Sequence, residues 1–321
     1  MSFRAAIVQR PPVALDLAAS LERAVDWLAE AAAEDARLVL FPETFLPGYP
    51  SWIWRLRPGP DLRLANRIHA RLRRNAVDLA AGDLDPLCEA AARHRTVVVV
   101  GLHEIDSAFS GSTLFNTVVV IGPDGRILNR HRKLVPTNPE RMVWGRGDAS
   151  GLRVVDTPLG RLGTLICWEN YMPLARFALY AQNIDIYLAP TWDCGDTWLA
   201  SMNHIAREGG CWVLATGTAM QAGDLPEDFP DRDRLYPDPG EWLCTGDAVV
   251  VRPFGGVVAG PLTREKGILY AEIDPEAARR ARRTLDVAGH YGRPDLFRLE
   301  VDRRPRPPVT FRDSGESAAE E

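Results

Sequence analysis

The chain has 321 residues, 46% of them hydrophobic and 25% charged, which is typical of a globular protein with a sizeable buried core. Its net charge of −5 argues against a nucleic-acid partner, and no apolar run approaches the ~18 residues that cross a membrane. The N-terminus has no signal-peptide pattern, and the five widely spaced cysteines predict a reduced, cytoplasmic protein.

The first third of the chain alternates apolar runs that predict strands with segments of helical spacing. The predicted strands are residues 3–9, 37–41 and 96–101, and the predicted helices are residues 16–36, 61–77 and 83–95. A loop rich in proline and aromatic residues follows the second strand, at residues 47–54. It is too apolar for an ordinary solvated loop, so it either packs on a core of its own or forms the wall of a pocket or subunit contact.

Two β-hairpins are predicted, one in the middle of the chain and one near its end. The first joins residues 116–121 to 126–131 through an Asp-Gly turn, and the second joins 246–251 to 257–260. Between them, strands alternate with helices: strands at 161–167, 185–189 and 211–216, and helices at 171–182 and 196–208. This order predicts an α/β protein with two packed mixed sheets flanked by helices. Residues 1–301 form a single domain in this interpretation, and 302–321 form a disordered tail.

Three chemically capable side chains, Glu43, Lys133 and Cys167, each stand where an apolar run stops. Only two of the 38 basic residues are lysines, so Lys133 indicates a site that needs a compact ammonium group. Partial burial near a thiol would raise the pKa of Glu43 and make it a usable general base. A second carboxylate, Glu140, follows a prolyl bend and could orient the ammonium group.

Cys167 is the predicted nucleophile. It follows a strand and precedes a predicted helix that has Asn170 as a cap-type residue and Pro173 in its first turn. Unpaired N–H groups and the positive end of the helix dipole would favour the thiolate. Cys88, Cys211 and Cys244 lie within apolar patterns that are typical of core residues.

Other chemistries have weaker support in the sequence. A Cys-His dyad could use His131 or His204, but neither has a protease-like signature around it. The six histidines show no metal-ligand spacing, and Gly145-Arg146-Gly147 lacks the context of a phosphate-binding loop.

Taken together, these segments resemble the nitrilase superfamily of carbon–nitrogen hydrolases, and specifically its nitrilase branch. The resemblance covers roughly residues 3–297 as an ordered set of motifs. The matching segments are Phe41-Pro42-Glu43-Thr44-Phe45, Pro47-Gly48-Tyr49-Pro50, His131-Arg132-Lys133-Leu134, Pro136-Thr137, Glu140-Arg141, Trp144-Gly145, Cys167-Trp168-Glu169-Asn170, His204-Ile205-Ala206-Arg207-Glu208-Gly209-Gly210 and Gly289-His290-Tyr291-Gly292-Arg293-Pro294-Asp295.

The resemblance implies a four-layer α-β-β-α sandwich and a catalytic triad of Glu43, Lys133 and Cys167, with Glu140 as the additional carboxylate of the family. It implies no metal or organic cofactor. It also implies a homodimer paired through helices that follow the catalytic strands, or a larger, spiral homo-oligomer.

The expected reaction is hydrolysis of an organic nitrile to a carboxylic acid and ammonia, through thioimidate and thioester intermediates on Cys167. Alternatives are an amidase or carbamoylase with the same triad, a cyanide-hydrolysing enzyme, or a catalytically silent assembly protein. Aromatic residues in or beside the motifs predict an apolar pocket, with Tyr49, Trp168 and Trp192 as the substrate-binding candidates. They favour an aromatic or arylaliphatic nitrile and leave aliphatic nitriles and hydrogen cyanide open.

Overall fold

The computed structural model describes residues 2–310. Within that range it contains thirteen strands and seven α-helices. The strands, in chain order, are β1 Phe3–Val8, β2 Ala36–Leu40, β3 Val97–Ile105, β4 Leu114–Ile121, β5 Ile127–Arg132, β6 Val155–Thr157, β7 Gly160–Thr164, β8 Ile186–Thr191, β9 Trp212–Gly217, β10 Ala219–Gln221, β11 Trp242–Val251, β12 Val257–Thr263 and β13 Ile268–Ile273. The helices are α1 Leu17–Ala33, α2 Leu62–Arg74, α3 Asp85–His94, α4 Pro173–Tyr180, α5 Asp196–Gly209, α6 Arg232–Leu235 and α7 Pro275–Arg282.

The strands form two mixed sheets. The first has the order β13-β1-β2-β3-β4-β5, and the second has the order β10-β11-β9-β8-β7-β6, with β12 paired to β11. Both predicted hairpins are confirmed, because β4 pairs antiparallel with β5 and β11 pairs antiparallel with β12. Strand β13 was not predicted from the sequence, and it closes the first sheet by pairing antiparallel with β1.

Strand alternation shows how the sheets pack. In β1, Ala5 and Ile7 share a buried cluster with Leu162 and Leu188 of the second sheet, so this cluster lies between the sheets. Ala6 and Val8 point the other way, into a cluster that includes residues of α1 and α3. The outer face of the second sheet packs in the same manner on α4 and α5. These layers confirm the predicted α-β-β-α sandwich.

The C-terminal segment that was predicted to be disordered falls partly outside the described residues, at 311–321. Residues 302–310 form neither helix nor strand, and the backbone N–H of Arg306 donates to Asp148 at 2.9 Å. No helix among residues 2–310 has both the length and the apolar character needed to pass through a membrane.

Candidate active site

Glu43 is held just beyond the end of β2, against the middle of β3. The close approach depends on Gly101, since a Cβ atom there would lie 2.4 Å from the carbonyl oxygen of Pro42 and from the backbone nitrogen of Thr44. Glu43 Oε1 accepts hydrogen bonds from Asn116 Nδ2 at 2.7 Å and from Lys133 Nζ at 2.8 Å. Glu43 Oε2 is buried and has no hydrogen-bond partner in the described part of the chain.

Lys133 extends from the end of β5 into the same buried space. Its backbone N–H donates to Asn116 of the neighbouring strand at 2.8 Å, which fixes the point at which the side chain leaves the sheet. Its Nζ donates to Glu43 and to Glu140 Oε2, the latter at 2.9 Å. An ammonium group has three donors, so one N–H remains for a third acceptor.

Glu140 is buried and not a surface charge, although it lies in a loop. It belongs to a short 3₁₀ turn, Asn138–Met142, and its Oε2 also accepts from the backbone N–H of Thr137 at 2.6 Å. Its other oxygen accepts from the Tyr49 hydroxyl at 2.8 Å. Both oxygens of Glu140 are therefore occupied, and the carboxylate holds the ammonium group of Lys133 in place, as its spacing in the sequence had suggested.

Cys167 follows β7 at the start of a 3₁₀ turn, Cys167–Tyr171, and only 4% of the residue is exposed. Its φ of +51° is unusual for a residue with a side chain and must be held by its surroundings. The predicted capping arrangement was wrong: α4 begins at Pro173, and the Asn170 side chain instead donates to the carbonyl oxygens of Leu165 and Cys167.

The pKa values in this group of residues depend on burial and on the charges of the neighbouring side chains. Burial raises the pKa of Glu43, with an opposing effect from Lys133. Burial alone would lower the pKa of Lys133, but the carboxylates of Glu43 and Glu140 together raise it, so the ammonium stays charged. Burial, reinforced by Glu43, also raises the pKa of Cys167. This direction is opposite to the lowered pKa that was expected from a helix end.

The predicted substrate-binding aromatics occupy different positions. Tyr49 is buried beside Glu140, and its ring stacks on Trp192 with centroids 4.5 Å apart and planes inclined by 7°. Trp168 is 47% exposed, and its Nε1 donates to Asp193 at 3.0 Å. Trp198, a further aromatic near the motifs, is fully buried in the core between the second sheet and its helices.

The apolar loop at residues 47–54 packs on a core of its own and also contacts the candidate site. Tyr49, Trp52 and Ile53 pack in a buried cluster of their own, while the Tyr49 hydroxyl reaches Glu140. The Cys-His alternatives receive no support: His131 Nε2 contacts Glu169, and His204 is an exposed side chain that contacts Glu208. Across residues 2–310, no group of three or more His, Cys, Asp or Glu side chains is arranged to hold a metal ion.

Sequence reasoning missed two polar groups of the site. Asn116, which donates to Glu43, lies in the middle of β4 and has no local pattern that would mark it. His103 is fully buried, accepts from Trp144 Nε1 at 2.9 Å and bonds to the Gly48 carbonyl oxygen, and burial lowers its pKa to about 4. The neutral ring thus joins Trp144 to the residue preceding Tyr49.

Comparison with known proteins identifies the family of the chain. A family model described as carbon-nitrogen hydrolase matches residues 4–283. The chain is 40% identical to an aliphatic nitrilase of Sinorhizobium fredii (strain HH103), over 97% of this chain and 99% of that one. It is 39% identical to a bifunctional nitrilase/nitrile hydratase of Lupinus angustifolius, over 97% and 89% of the two chains.

A crystal structure of a carbon–nitrogen hydrolase from Helicobacter pylori G27 has the same fold, with a TM-score of 0.68 and 21% identity, over 88% of this chain and 92% of that one. The family model spans most of the chain, and the curated relatives match it over nearly their whole length. The chain therefore belongs to the nitrilase superfamily of carbon–nitrogen hydrolases, in its nitrilase branch.

Proposed function

We propose that this protein is a nitrilase in which Cys167 is the nucleophile, Glu43 the general base and Lys133 the donor to the substrate nitrogen. The observation that carries the proposal is the buried hydrogen-bonded set of Glu43, Lys133 and Glu140, whose charges act on the thiol of Cys167. Such a set places a base, a cation and a nucleophile in one water-poor space, where each electrostatic interaction is strengthened.

The first step adds the thiol across the carbon–nitrogen triple bond. Glu43 takes the proton from Cys167 through Oε2, the oxygen without a partner, as sulfur attacks the nitrile carbon. The raised pKa of Glu43 suits this transfer, because the carboxylate then binds the proton more strongly. The third N–H of Lys133 and the backbone N–H of Trp168 stabilise the charge that develops on nitrogen. The proton held by Glu43 then passes to that nitrogen, which gives the thioimidate and leaves Glu43 ionised for the next step.

Water then adds to the thioimidate with Glu43 as the base, giving a tetrahedral intermediate that carries OH, NH₂ and the Cys167 sulfur. Loss of ammonia leaves a thioester, and a second water releases the carboxylic acid and regenerates the thiol. If the sulfur leaves before ammonia, the product is the amide. The relative named as a bifunctional nitrilase/nitrile hydratase supports some amide release by this chain as well.

The proposed substrate is an aromatic or arylaliphatic nitrile. The support is the aromatic pair of Tyr49 and Trp192: the Tyr49 hydroxyl donates to Glu140, and the half-buried ring of Trp192 stacks on the Tyr49 ring. The relative named as an aliphatic nitrilase favours aliphatic nitriles as the second candidate.

The test is ammonia and product analysis with benzonitrile, phenylacetonitrile, an aliphatic nitrile, cyanide and the matching amides. We expect nitrile turnover by the wild type and a fall of more than ~10⁴-fold in Cys167→Ala, since the nucleophile is removed. Cys194→Ala is the matched control, because this cysteine also follows a strand of the second sheet, and it should keep wild-type activity. Turnover of amides alone would move the assignment to an amidase, and no turnover by a folded protein would favour the assembly protein.

We further propose that the chain forms a homodimer or a larger, spiral homo-oligomer, located in the cytoplasm. Exposed apolar side chains at Trp168, Tyr171 and Leu174, on the segment that follows β7, support such a contact. Leu174→Glu should lower the mass measured by light scattering, whereas Leu62→Glu, at a similarly exposed leucine of α2, should not. Five cysteines present as free thiols fit a reducing compartment, which fractionation of the native cells would test.

A further inference from the structure

We propose that Glu169, together with His131, is a clamp that positions the Cys167 turn against the Lys133 turn. Both are positioning residues in this proposal, since neither is asked to touch the substrate. The inference rests on the proposed roles of Cys167 and Lys133, and it adds a buried pair of a carboxylate and an imidazole that the catalytic steps do not use.

The contacts of Glu169 converge from three directions. The backbone N–H of Ile166 donates to Oε2 at 2.8 Å, and the backbone N–H of Leu134 donates to Oε1 at 2.7 Å. His131 Nε2 lies 3.0 Å from Oε2 and 3.2 Å from Oε1. The side chains of His131 and Glu169 have no solvent exposure.

These contacts join the two sheets at the site. Leu134 directly follows Lys133 after β5 of the first sheet, and Ile166 directly precedes Cys167 after β7 of the second. One carboxylate therefore fixes the backbone beside the nucleophile and the backbone beside the ammonium group. A shift of either turn would change the distance between the reacting sulfur and its cationic partner, to which rates are sensitive.

The clamp also accounts for how Cys167 keeps its unusual backbone conformation. A φ of +51° at a residue with a Cβ atom persists only when the surrounding contacts over-determine it. Glu169 supplies one such contact on the residue before Cys167, and the Asn170 side chain supplies another on its carbonyl oxygen at 2.7 Å.

Glu169 differs from Glu43 in the direction of its pKa shift and in the number of its hydrogen-bond partners. Burial alone would raise the pKa of Glu169, but His131 and the two backbone N–H groups hold it below its usual value. Both of its oxygens are occupied by protein donors. Glu43, in contrast, has one unpartnered oxygen and a raised pKa, as a base requires.

The test compares Glu169→Gln with Asp185→Asn. Glutamine has the shape of glutamate, but its amide nitrogen must face one of the three donors. Asp185 is the matched control: it is also fully buried and accepts from a backbone N–H, that of Arg161 at 3.2 Å, but it precedes β8, at the opposite end of that strand from the site. Kinetics and hydrogen exchange by mass spectrometry are measured well below each variant's unfolding temperature.

We expect Glu169→Gln to lower kcat by about 100-fold while KM stays within about threefold of wild type, because the misplacement acts on the reacting groups. Exchange should accelerate in peptides that contain Leu134 and Ile166, and Asp185→Asn should change neither kcat nor exchange at those two positions. An unchanged kcat, or unchanged exchange at both positions in Glu169→Gln, would overturn the proposal.

A second variant covers the case in which Glu169→Gln does not fold. His131→Asn removes the imidazole contact and leaves both backbone contacts of Glu169. Because Glu169 then loses one of its three partners, we expect a fall in kcat of about tenfold and faster exchange in the peptides that contain Leu134 and Ile166. Loss of kcat without local exchange changes would overturn the clamp here too. Exchange is independent of turnover, so a wild type without nitrilase activity would refute the proposed function and leave the clamp to be decided by exchange alone.

Discussion

Cys167 and Cys194 follow neighbouring parallel strands of the same sheet, β7 and β8, yet their thiols have opposite environments. Cys167 is buried beside Glu43, and burial together with that carboxylate raises its pKa. Cys194 is half-buried, and the neighbouring Cys244 thiol and Thr245 lower its pKa to about 6 against the effect of burial. The pKa values of the two thiols are therefore shifted in opposite directions, upward for the proposed nucleophile and downward for Cys194.

The difference shows that a position at the end of a strand does not by itself make a cysteine nucleophilic. What Cys167 has and Cys194 lacks is a buried base and cation beside it, Glu43 and Lys133. A neutral thiol with an adjacent base releases its proton only as the substrate is attacked, which keeps a charged sulfur from being stabilised in the resting protein.

The largest expected effect comes from removing the cation on which the Cys167 region depends. Lys133→Met leaves Glu43 and Glu140 buried without their shared partner, so we expect the free energy of unfolding to fall by about 3–5 kcal/mol and nitrile turnover to be lost. Denaturant unfolding and ammonia release measure the two effects.

The chain offers a matched control for this substitution in its other lysine. Lys266 pairs with Asp224 at the surface, and Lys266→Met should cost only about 0–1 kcal/mol. Equal destabilisation by the two substitutions would show that the buried charges around Cys167 are not balanced by Lys133.

The comparison of the two thiols is tested directly by alkylation with iodoacetamide, followed by mass spectrometry of the cysteine-containing peptides. At pH 7 we expect Cys194 to react more than ~10-fold faster than Cys167, because the thiolate is the reactive form and Cys194 is more exposed. The rate at Cys194 should rise through a midpoint near about 6 and then level off, whereas the rate at Cys167 should still be rising at pH 9.

Cys211 provides the internal reference for this experiment. It is fully buried, and burial raises its pKa to about 12, so it should stay unmodified while the protein is folded. If Cys167 reacted first, the order of reactivity would not follow the pKa values of the resting thiols, and the contrast with Cys194 would fail.

The smallest effect is expected from changing the neighbour of Cys194. Cys244→Ala removes the thiol that lowers the pKa of Cys194, so this pKa should move from about 6 toward its usual value of 9.0. Cys244→Ser keeps a polar group at this position and should shift the pKa less. The alkylation midpoint measures both, and a midpoint unaffected by either substitution would assign the low pKa to Thr245 instead.

The sequence anticipated most of the elements that carry the site, because their signals are local. Apolar runs and Asp-Gly turn chemistry marked β2, the hairpin of β4 and β5, and β8 within a few residues of their observed ends. Strand β13 was missed, since its position beside β1 depends on a pairing between the two ends of the chain.

The roles of the site residues were likewise predicted in part and missed in part. Glu140 was expected to orient Lys133, and the two lie 2.9 Å apart. The roles of Glu169 and His131 could not be read from the chain, even though both stand in the motifs that carry the family resemblance. Two of the three partners of Glu169 are backbone N–H groups, and every residue except proline supplies one, so no residue type marks these contacts.

By itself, the sequence determined the two-sheet α/β class and the family, and it predicted the set of Glu43, Lys133, Glu140 and Cys167, because periodicity and motif order are properties of the chain. Only the tertiary structure decided the direction of the pKa shift of Cys167 and the exposure of Trp168, since both depend on what packs around a side chain. The sequence predicted a lowered pKa for Cys167 from a helix end, whereas desolvation and a neighbouring carboxylate, which no spacing in the sequence indicates, raise it.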